Sequence, residues 1–349
     1  PESSRNRSIA EQPVVGITMG DPAGIGPEII VKALDDPEIR KAGKFIIFGM
    51  DEQLSYAADK AEIIPFWGRC QHEHLSRDFG GKVMVADYDD FVLLPWLKGV
   101  SKASGQSSLQ FCVDAIAAAQ GGLIDAVVTA PINKRCWKLA GSKWPGHTEL
   151  FADKTKSPRK VMMFVAGGLK LALATIHEAL FDVRHKFTIG CVFEPIDLLD
   201  SALKEFFHIA KPKIAVAALN PHGGEDGQFG DEERRVISPA ILLAQEQGIN
   251  CSGPYPADTV FARANRGEFD AVVAMYHDQA MIPVKLLAPE SAVNVTIGIP
   301  IIRTSPAHGT AFDIAGKNLA NPGSMKAAIL TAIEMAATRK QTTINSKTD

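Results

Sequence analysis

Short apolar runs alternate along the chain with longer stretches of helical pattern. The apolar runs predict buried strands over residues 14–19, 44–48, 126–129, 171–176, 214–219 and 271–275. Because these runs are nearly continuously apolar rather than alternating, they are typical of parallel strands covered on both faces. Strands and helices in this order predict an α/β fold built around a parallel sheet.

The helical patterns are predicted over residues 109–120, 235–247 and 324–338. The first follows Ser107 and Ser108, which are favourable N-cap residues, and stops at Gly121. The second ends before Gly248. The sequence contains no internal repeat and no low-complexity linker, so the segment 129–134 and the loop near Ser305 are the candidate hinges between domains.

Composition and charge narrow the class of protein. The 349 residues, 46% hydrophobic and 22% charged, suit a globular enzyme large enough for two domains. A net charge of −3 argues against nucleic acid or an anionic membrane as partner. The five cysteines lack a C-x-x-C pair, which argues against disulfides and a thiolate zinc site. Residues 1–12 are expected to form a disordered tail, and no apolar run could span a membrane, so a cytoplasmic location is expected.

Three histidines follow the ends of three predicted strands: His177, His222 and His277. Because ligand sites in parallel α/β sheets form beyond the carboxyl ends of the strands, these loops can converge. Three neutral imidazoles with an open fourth position suit a catalytic Zn²⁺ or a related divalent ion. Glu178 and Asp278 stand beside two of the histidines and can orient ligating rings.

Other interpretations of the histidines stay open on spacing alone. A single histidine at a strand end is usually a hydrogen-bonded loop residue. His72 and His74 form a competing pair, but their polar flanks indicate a solvated loop. His185 and His208 lie in mixed helical patterns that are typical of structural or exposed side chains.

The segment TMGDPAGIGPE (18–28) joins a predicted strand to a helix. Its glycines can turn backbone amides toward an anion at a helix N-terminus, although a tight structural turn explains them more simply. The spacing matches neither the dinucleotide fingerprint nor a phosphate-binding P-loop, so any NAD binds by another route.

Further anion-binding candidates are the segment PGHTE (145–149), Lys285 and Arg303. Asn294 lies between the two cations, on a strand-like run at 293–297. Arg303 follows an apolar run, where a lone charge is costly, so a partner for it is expected. Lys285 taken alone is typical of a surface lysine.

Seven segments of the chain form a set that is more specific than any one of them. They are GDPAGIGPE (20–28), TAPINK (129–134), PGHTELFA (145–152), NPHGGEDGQFGDEE (220–233), PADTVF (256–261), AMYHDQ (274–279) and IRTSPAHGTAFDIAGK (302–317). In this order they resemble the signature set of the 4-hydroxythreonine-4-phosphate dehydrogenase family. The resemblance covers almost the whole chain, from near residue 14 to near residue 338.

The resemblance implies an isocitrate/isopropylmalate-dehydrogenase-like α/β fold, with two α/β/α lobes and a cleft between them. The first lobe is then expected at residues 13–130 plus 307–349 and carries an NAD loop. The second is expected at residues 131–306 and carries the metal and dimer contacts. A homodimer with its active site shared across the interface is also implied.

The resemblance also assigns roles to residues by motif. The metal ligands correspond to His177, His222 and His277, and the substrate-binding positions to His147, Thr148, Lys285, Asn294 and Arg303. Asp258 and Asp278 match acidic residues of the catalytic site; either can take the hydroxyl proton, but supporting the ligands is the favoured role. A loop similar to the adenosine-side NAD loop of isopropylmalate dehydrogenases supplies the cofactor-binding candidates His308, Gly309, Thr310, Ala311 and Asn321.

The implied reaction is NAD-dependent oxidation of the 3-hydroxyl of 4-phosphooxy-L-threonine, with NADP as an alternative cofactor. A divalent metal, zinc before magnesium or cobalt, stabilises the charge that forms on the hydroxyl oxygen as hydride leaves. The resulting β-keto acid loses CO₂ to give 3-amino-2-oxopropyl phosphate, a precursor of pyridoxal phosphate.

Four departures from the family pattern concern the substrate. They are Gly223, Ala280, Ala307 and the glycine-poor segment 287–292. The last lies between two substrate-binding positions and can reshape the pocket. The same chemistry on 4-phospho-D-threonate, 4-phospho-D-erythronate or a carboxylated cis-dihydrodiol is therefore an alternative.

Two other classes of protein compete with a dehydrogenase. A phosphate acyltransferase on a similar two-lobed fold needs neither metal nor NAD, and it leaves the three strand-end histidines unexplained. A non-catalytic anion- or metal-binding module would bind without turnover.

Overall fold

The computed structural model describes residues 12–345, with side chains up to residue 341. Apart from Gln12, the predicted tail lies outside the described residues. The strands are β1 (Val14–Thr18), β2 (Lys44–Gly49), β3 (Gly68–Gln71), β4 (Val83–Asp87), β5 (Ala126–Thr129), β6 (Val161–Ala166), β7 (Leu169–Leu173), β8 (Ile214–Ala217), β9 (Cys251–Tyr255), β10 (Ala271–Ala274), β11 (Val293–Ile297) and β12 (Ile302–Pro306). The helices are α1 (Gly26–Leu34), α2 (Pro37–Ala42), α3 (Asp51–Ala61), α4 (Lys102–Gln120), α5 (Lys134–Leu139), α6 (His147–Lys154), α7 (Val183–Lys186), α8 (Ile189–Phe207), α9 (Ser238–Glu246), α10 (Ala257–Asn265), α11 (His277–Leu287) and α12 (Gly323–Asn345).

These strands form one sheet in the order β3-β4-β2-β1-β5-β12-β11-β6-β7-β10-β8-β9. The first six pair in parallel, and so do the last four. In the middle, β11 is antiparallel to both of its neighbours and β6 is antiparallel to β7. The α/β class is therefore confirmed, but the prediction of a parallel sheet is wrong for the middle strands.

A short connection explains the antiparallel pairing of β6 with β7. Ala166 pairs with Leu169, which leaves only Gly167 and Gly168 to join β6 to β7. Gly167 has φ +60°, a conformation that glycine adopts without strain. A two-residue loop joins antiparallel strands, whereas a parallel pair needs a crossover of about a dozen residues or more. The Gly-Gly pair was thus the signal in the sequence for a hairpin.

Helix α4 begins earlier than its sequence pattern predicts. Ser101 is the N-cap and accepts a hydrogen bond from the Ser104 amide at 3.0 Å. Ser107 and Ser108, the predicted caps, lie inside the helix and donate to the Ser104 carbonyl at 3.2 and 2.7 Å. Because a carbonyl one turn earlier satisfies these hydroxyls, the serines remain helical, and the predicted start at residue 109 is wrong.

The core lies on both faces of the sheet. One large apolar cluster packs helices that include α1, α4, α8 and α12 against it, and a second packs α10 and α11 against β6, β7, β8 and β10. Each large side chain so buried contributes roughly 1.5–3 kcal/mol. Within the described part of the chain, no helix has the length and apolar character needed to cross a membrane. The sheet runs without a break through both predicted lobes, and the boundary between them stays a prediction.

Candidate active site

A cavity of about 470 Å³ lies over one face of the central strands, a size that suits a small organic ligand. Asn294 on β11 pairs with Ser305 on β12 and with Phe164 on β6, and all three line the cavity. Arg303 precedes Ser305 by two residues and therefore faces the same side of the sheet. The floor of the cavity is thus strand rather than loop.

Arg303 brings a buried positive charge into this floor. The side chain is only 3% exposed. Its guanidinium donates to the Thr129 hydroxyl at 3.1 and 2.7 Å and to the Thr296 hydroxyl at 3.0 Å. No carboxylate among the described residues forms an ion pair with it. Burial lowers the pKa of Arg303 to about 10. The partner expected from the sequence is therefore a pair of neutral hydroxyls, which leaves the charge available to an anion.

His147 and Thr148 open helix α6 at the wall of the cavity, so the first amides of that helix face the same space. The His147 ring contacts Trp137 edge-on, with ring centroids 5.5 Å apart. Trp137 is fully buried and donates its indole N–H to the Ser108 hydroxyl at 3.0 Å. A rigid, buried tryptophan therefore fixes the position of the histidine.

Two polar atoms at the cavity have no partner. His147 Nε2 and Asn294 Oδ1 are buried, and neither forms a hydrogen bond within the described residues. Burial, and then the nearby Arg303 and Lys134, lower the pKa of His147 well below its usual value. Each unsatisfied buried group costs about 1–3 kcal/mol, so a polar ligand that pairs with them would relieve that cost.

Lys134 and Glu149 also line the cavity, although the sequence interpretation did not assign them a role. A Cβ atom at Gly146 would lie 3.5 Å from both Glu149 Oε2 and Lys134 Cε, so the two side chains flank that glycine. Neither forms a hydrogen bond or an ion pair within the described residues. Both lie in the segments TAPINK and PGHTELFA, and their charge within those segments was the available signal.

His177 and His277 come together at the far end of the cavity, with ring centroids 6.2 Å apart. They follow β7 and β10, which are parallel neighbours. The pairing continues beyond the strands, because the Thr175 amide donates to the Met275 carbonyl at 3.2 Å. Burial lowers the pKa of His177, as does the charge of Lys134. The expected convergence at strand ends is therefore observed for these two histidines.

Carboxylates contact the rings of two of the three histidines. One of them, Asp278, was expected from the sequence, and the other was not. His277 Nδ1 lies 2.7 Å from Asp278 Oδ1, as expected. The Glu178 carboxylate instead accepts a hydrogen bond from Lys186 at 2.6 Å, and among the described residues it forms no hydrogen bond with a histidine. Glu225 takes that role at His222, with 2.6 Å between its Oε1 and His222 Nδ1. Glu178 thus acts on His177 through its charge rather than through a hydrogen bond, because Lys186 occupies its carboxylate.

His222 lies on the segment Pro221–Gly227, here called the His222 arm, and does not line the cavity. Every residue from His222 to Gly227 has positive φ, between +41° and +97°. A left-handed conformation costs roughly 1–2 kcal/mol for each residue other than glycine, and His222, Glu225 and Asp226 are such residues. The neighbouring structure must therefore hold the arm in place.

The three histidines do not form a cluster within one chain. Among the residues that the structure describes, no group of three or more His, Cys, Asp or Glu is placed to hold a metal ion. Asp258 lies apart from the central cavity, in a groove between α10 and α11 that Asp278 also lines. Exposed apolar side chains, among them Ile282 and Leu286, line the same groove.

Lys285 is the one expected substrate-binding residue outside the cavity lining. Its ammonium donates to the Ala307 carbonyl at 2.6 Å. Ala307 and His308 line the cavity, and the charge of Lys285 acts on His308, so Lys285 lies beside the lining without being part of it. Ala307 is also one of the four departures from the family pattern. Of the others, Ala280 is buried and Gly223 has φ +70° within the His222 arm.

The expected NAD loop borders the cavity. His308 and Gly309 line it. Thr310 is buried, and its carbonyl accepts from the Ile25 amide at 3.0 Å, so the loop packs on the turn that precedes α1. Ala311 has φ +41°, and Asn321 accepts from the Gly323 amide at 2.8 Å, which caps α12. Only the first two residues of the expected set thus face the cavity.

Helix α1 holds the far end of this loop through two side chains. Glu28 on α1 accepts from the Ala320 amide at 2.7 Å, and Lys32 donates to the Asn318 and Ala320 carbonyls at 3.2 and 3.1 Å. Lys32 and Glu28 also form an ion pair at 2.8 Å. The GDPAGIGPE segment therefore positions the loop through contacts with its turn and with the helix that follows.

The fold and the site together define an α/β protein whose cavity contains a buried arginine and a histidine pair. The family profile described as pyridoxal phosphate biosynthetic protein PdxA matches residues 42–332. The chain belongs to this family.

Similar proteins carry two names. The chain is 43% identical over 333 residues to a 4-hydroxythreonine-4-phosphate dehydrogenase of Desulforapulum autotrophicum, covering 93% of this chain and 95% of the relative. It is 40% identical over 331 residues to a D-threonate 4-phosphate dehydrogenase of Cupriavidus necator, covering 94% and 98%. A solved 4-hydroxythreonine-4-phosphate dehydrogenase of Klebsiella pneumoniae is 36% identical, with a TM-score of 0.82 over 93% of this chain and 100% of that one. The relatives are dehydrogenases.

Proposed function

We propose that this chain is an NAD-dependent, metal-assisted dehydrogenase that oxidises the 3-hydroxyl of 4-phosphooxy-L-threonine to a β-keto acid that loses CO₂. The observation that carries the proposal is the buried Arg303 guanidinium, which has no carboxylate partner and shares a cavity with His177 and His277. A buried cation in a polar cavity favours an anionic ligand, and a phosphate monoester supplies that charge with several acceptor oxygens.

The phosphate is proposed to bind at the Arg303 end of the cavity. Thr148 and the first amides of α6 can donate to its oxygens, and His147 Nε2 can gain the partner that it lacks. Asn294 completes this end through its side-chain amide. The hydroxyl to be oxidised then lies toward His177 and His277.

The histidines fit a divalent ion by their chemistry. His277 and His222 each have Nδ1 against a carboxylate oxygen, which leaves Nε2 as the free ligand atom. When bound by His177, His222 and His277, a Zn²⁺, Mg²⁺ or Co²⁺ ion would stabilise negative charge on the substrate oxygen during oxidation and decarboxylation. Asp278 acts in this proposal by holding the His277 ring and not by taking a proton.

A homodimer is proposed to complete the site. His222 does not line the cavity of its own chain, and its side chain is 65% exposed, so it is accessible to a second copy. The groove that contains Asp258 exposes Ile282 and Leu286, and exposed apolar side chains grouped in a groove are typical of a protein interface. A cytoplasmic location belongs to the same proposal.

The nicotinamide cofactor is proposed to bind along the loop that begins at His308. This loop borders the cavity and is held against the turn before α1. Bound there, NAD would accept the hydride from the substrate carbon. NADP remains the alternative cofactor.

Glu149 favours the amino-acid substrate over the hydroxy acids. Its carboxylate lines the cavity without a hydrogen bond or an ion pair, and the 2-ammonium group of 4-phosphooxy-L-threonine can pair with it. The hydroxyl of 4-phospho-D-threonate or 4-phospho-D-erythronate offers only a neutral donor.

We therefore expect Glu149→Gln to lower kcat/KM for the amino-acid substrate roughly 10-fold to 100-fold and to change kcat/KM for the two phosphorylated hydroxy acids much less. Equal losses on both substrate types would contradict this role of Glu149.

The experiment that tests the function is an NADH-absorbance assay with Zn²⁺, Mg²⁺ or Co²⁺ added in turn. The substrates compared are 4-phosphooxy-L-threonine, 4-phospho-D-threonate, 4-phospho-D-erythronate and a carboxylated cis-dihydrodiol. We expect the first to be oxidised fastest and His222→Ala to lose most activity while keeping its fold, since an arm on the surface contributes little packing. Binding without turnover on any substrate, or acyl transfer without NADH, would favour the rival classes.

A further inference from the structure

We propose that Glu225 is a positioning residue that holds His222 as a preformed metal ligand. The inference rests on the proposed metal-assisted function and assigns a role to the His222 arm. Glu225 Oε1 lies 2.6 Å from His222 Nδ1. A carboxylate only accepts hydrogen bonds, so Nδ1 carries the proton and Nε2 keeps the lone pair that binds a metal ion.

The same arrangement occurs a second time in the chain. His277 Nδ1 lies 2.7 Å from Asp278 Oδ1, although Asp278 is the next residue and Glu225 is three residues from its histidine. Different local geometries therefore give the same tautomer. Two of the three proposed ligands carry a carboxylate on the ring nitrogen that does not bind metal, which is the usual support of a ligating histidine.

The base of the His222 arm is fixed by a buried carboxylate. Glu233 is 6% exposed. It accepts from the Leu219 and Asn220 amides at 2.9 and 2.7 Å and from the Asn220 side chain at 2.9 Å. The arm also packs closely on this group, since a Cβ atom at Gly224 would lie 2.8 Å from Glu233 Oε2. The backbone that carries His222 is thus held before any ligand binds.

The fixed backbone leaves the ring as the only mobile part of the ligand. The His222 side chain is 65% exposed, and its ring lies edge-on to the Phe229 ring with the centroids 6.2 Å apart. Without Glu225, the ring would exchange tautomers and rotate freely, and metal binding would have to suppress both. The carboxylate removes that cost in advance.

The test is a titration of the purified full-length chain with Co²⁺, followed by its visible absorption. We expect Glu225→Ala to weaken Co²⁺ binding on the order of 10-fold to 100-fold and to change the band shape. Glu225→Gln should recover part of the affinity, because its amide oxygen still accepts from Nδ1. The matched control is Asp226→Asn, which removes one negative charge from the adjacent residue of the same arm and should change affinity by less than about threefold.

Three results separate this inference from the function on which it rests. Weak binding by Glu225→Ala, with Asp226→Asn like the wild type, supports it. Wild-type Co²⁺ binding by Glu225→Ala, or an equal loss in Asp226→Asn, overturns the role of Glu225 alone, provided that His222→Ala binds weakly. If the wild type does not bind Co²⁺, or His222→Ala binds it as tightly, the proposed metal set and the role of Glu225 fall together.

Discussion

A single buried cation dominates the electrostatics of the cavity. Arg303 is buried, and its partners are two hydroxyls and the Phe151 ring, so its charge is stabilised less than it would be in water. An incoming anion would pair with this charge and offset the cost of burying it. The cation is therefore better suited to holding a ligand than to stabilising the fold.

Substitution of Arg303 tests this role directly. We expect Arg303→Lys to raise KM for the phosphorylated substrate on the order of 10-fold and Arg303→Ala on the order of 100-fold, since hydrogen bonds to charged groups contribute about 1.5–3 kcal/mol. Calorimetry with inorganic phosphate should show the same ranking. A lower kcat with an unchanged KM in both variants would argue against an anchoring role.

The buried His147 makes stability depend on pH. Its pKa is lowered in the folded chain, so below about pH 6.5 the unfolded chain binds a proton that the folded chain does not. Stability is thus complete above that pH and falls as the pH drops, by up to about 1.4 kcal/mol per pH unit for this group. We expect His147→Asn to flatten the fall in unfolding free energy measured in urea between about pH 7.5 and pH 5.5. Parallel curves for the variant and the wild type would exclude His147 as the source.

Residue identities were easier to predict than residue partners. The histidines, Asn294 and Arg303 stood out in the sequence by type and by position at strands. The ion pair of Glu178 with Lys186 and the contact of Glu225 with His222 depend on side-chain conformation and on a left-handed backbone, and neither is visible in the spacing. Lys285 was placed in the substrate site by motif, yet in the folded chain its ammonium bonds the Ala307 carbonyl.

The His222 arm shows how glycines make an unusual element possible. Gly223, Gly224 and Gly227 take up half of its six positive-φ positions, and glycine accepts this conformation at little cost. The remaining three positions are strained, and Glu233 holds the residues Leu219 and Asn220 at the base of the arm. Gly223 and Gly224 differ in their surroundings, so substitutions at the two positions distinguish the cost of backbone strain from the cost of close packing.

We expect Gly224→Ala to destabilise the chain more than Gly223→Ala. Both positions have positive φ, which costs an alanine roughly 1–2 kcal/mol. At Gly224 the new Cβ would also approach Glu233 Oε2 to 2.8 Å, whereas nothing lies within 4 Å at Gly223. Free energies of unfolding in urea should show the difference, and equal losses would contradict close packing of the arm on Glu233.

The elements predicted from the sequence are present, but the antiparallel pairing in the middle of the sheet did not follow from it. The six predicted strands and three predicted helices all exist, because continuous apolar runs and helical periodicity report burial directly. Strand direction depends on the length of the connections, and the β6–β7 loop of two glycines was not recognised as a hairpin. The cavity therefore lies over the face of the antiparallel middle strands and not at one edge of a parallel sheet, where it was expected.

At the scale of the whole molecule, one chain holds only part of the proposed metal site. His177 and His277 lie together, and His222 lies on an arm outside their cavity. If the active site is shared, each cavity receives its third ligand from the other chain of a dimer. Activity would then require association, and dilution below the dimer dissociation constant should abolish it.

Mixing two inactive variants tests the shared site. His177→Ala lacks the histidine pair, and His222→Ala lacks the arm ligand, so each homodimer should be inactive. In a mixed dimer, one of the two sites would combine an intact pair with an intact arm. After unfolding and refolding together, we expect about a quarter of the wild-type rate. Activity no higher than in the separate variants would mean that all three ligands come from one chain.

The strands in the floor of the cavity set the distance between the two ends of the site. Arg303 is fixed on β12, and the histidine pair follows β7 and β10, with β11 and β6 between them. Neighbouring strands keep a spacing of about 4.8 Å that loops cannot adjust, so the gap between the phosphate and the reacting carbon is set by the backbone. A homologue of the substrate that is one carbon shorter or longer would contact one end of the site but not both at once. Selectivity for chain length would therefore follow from the backbone.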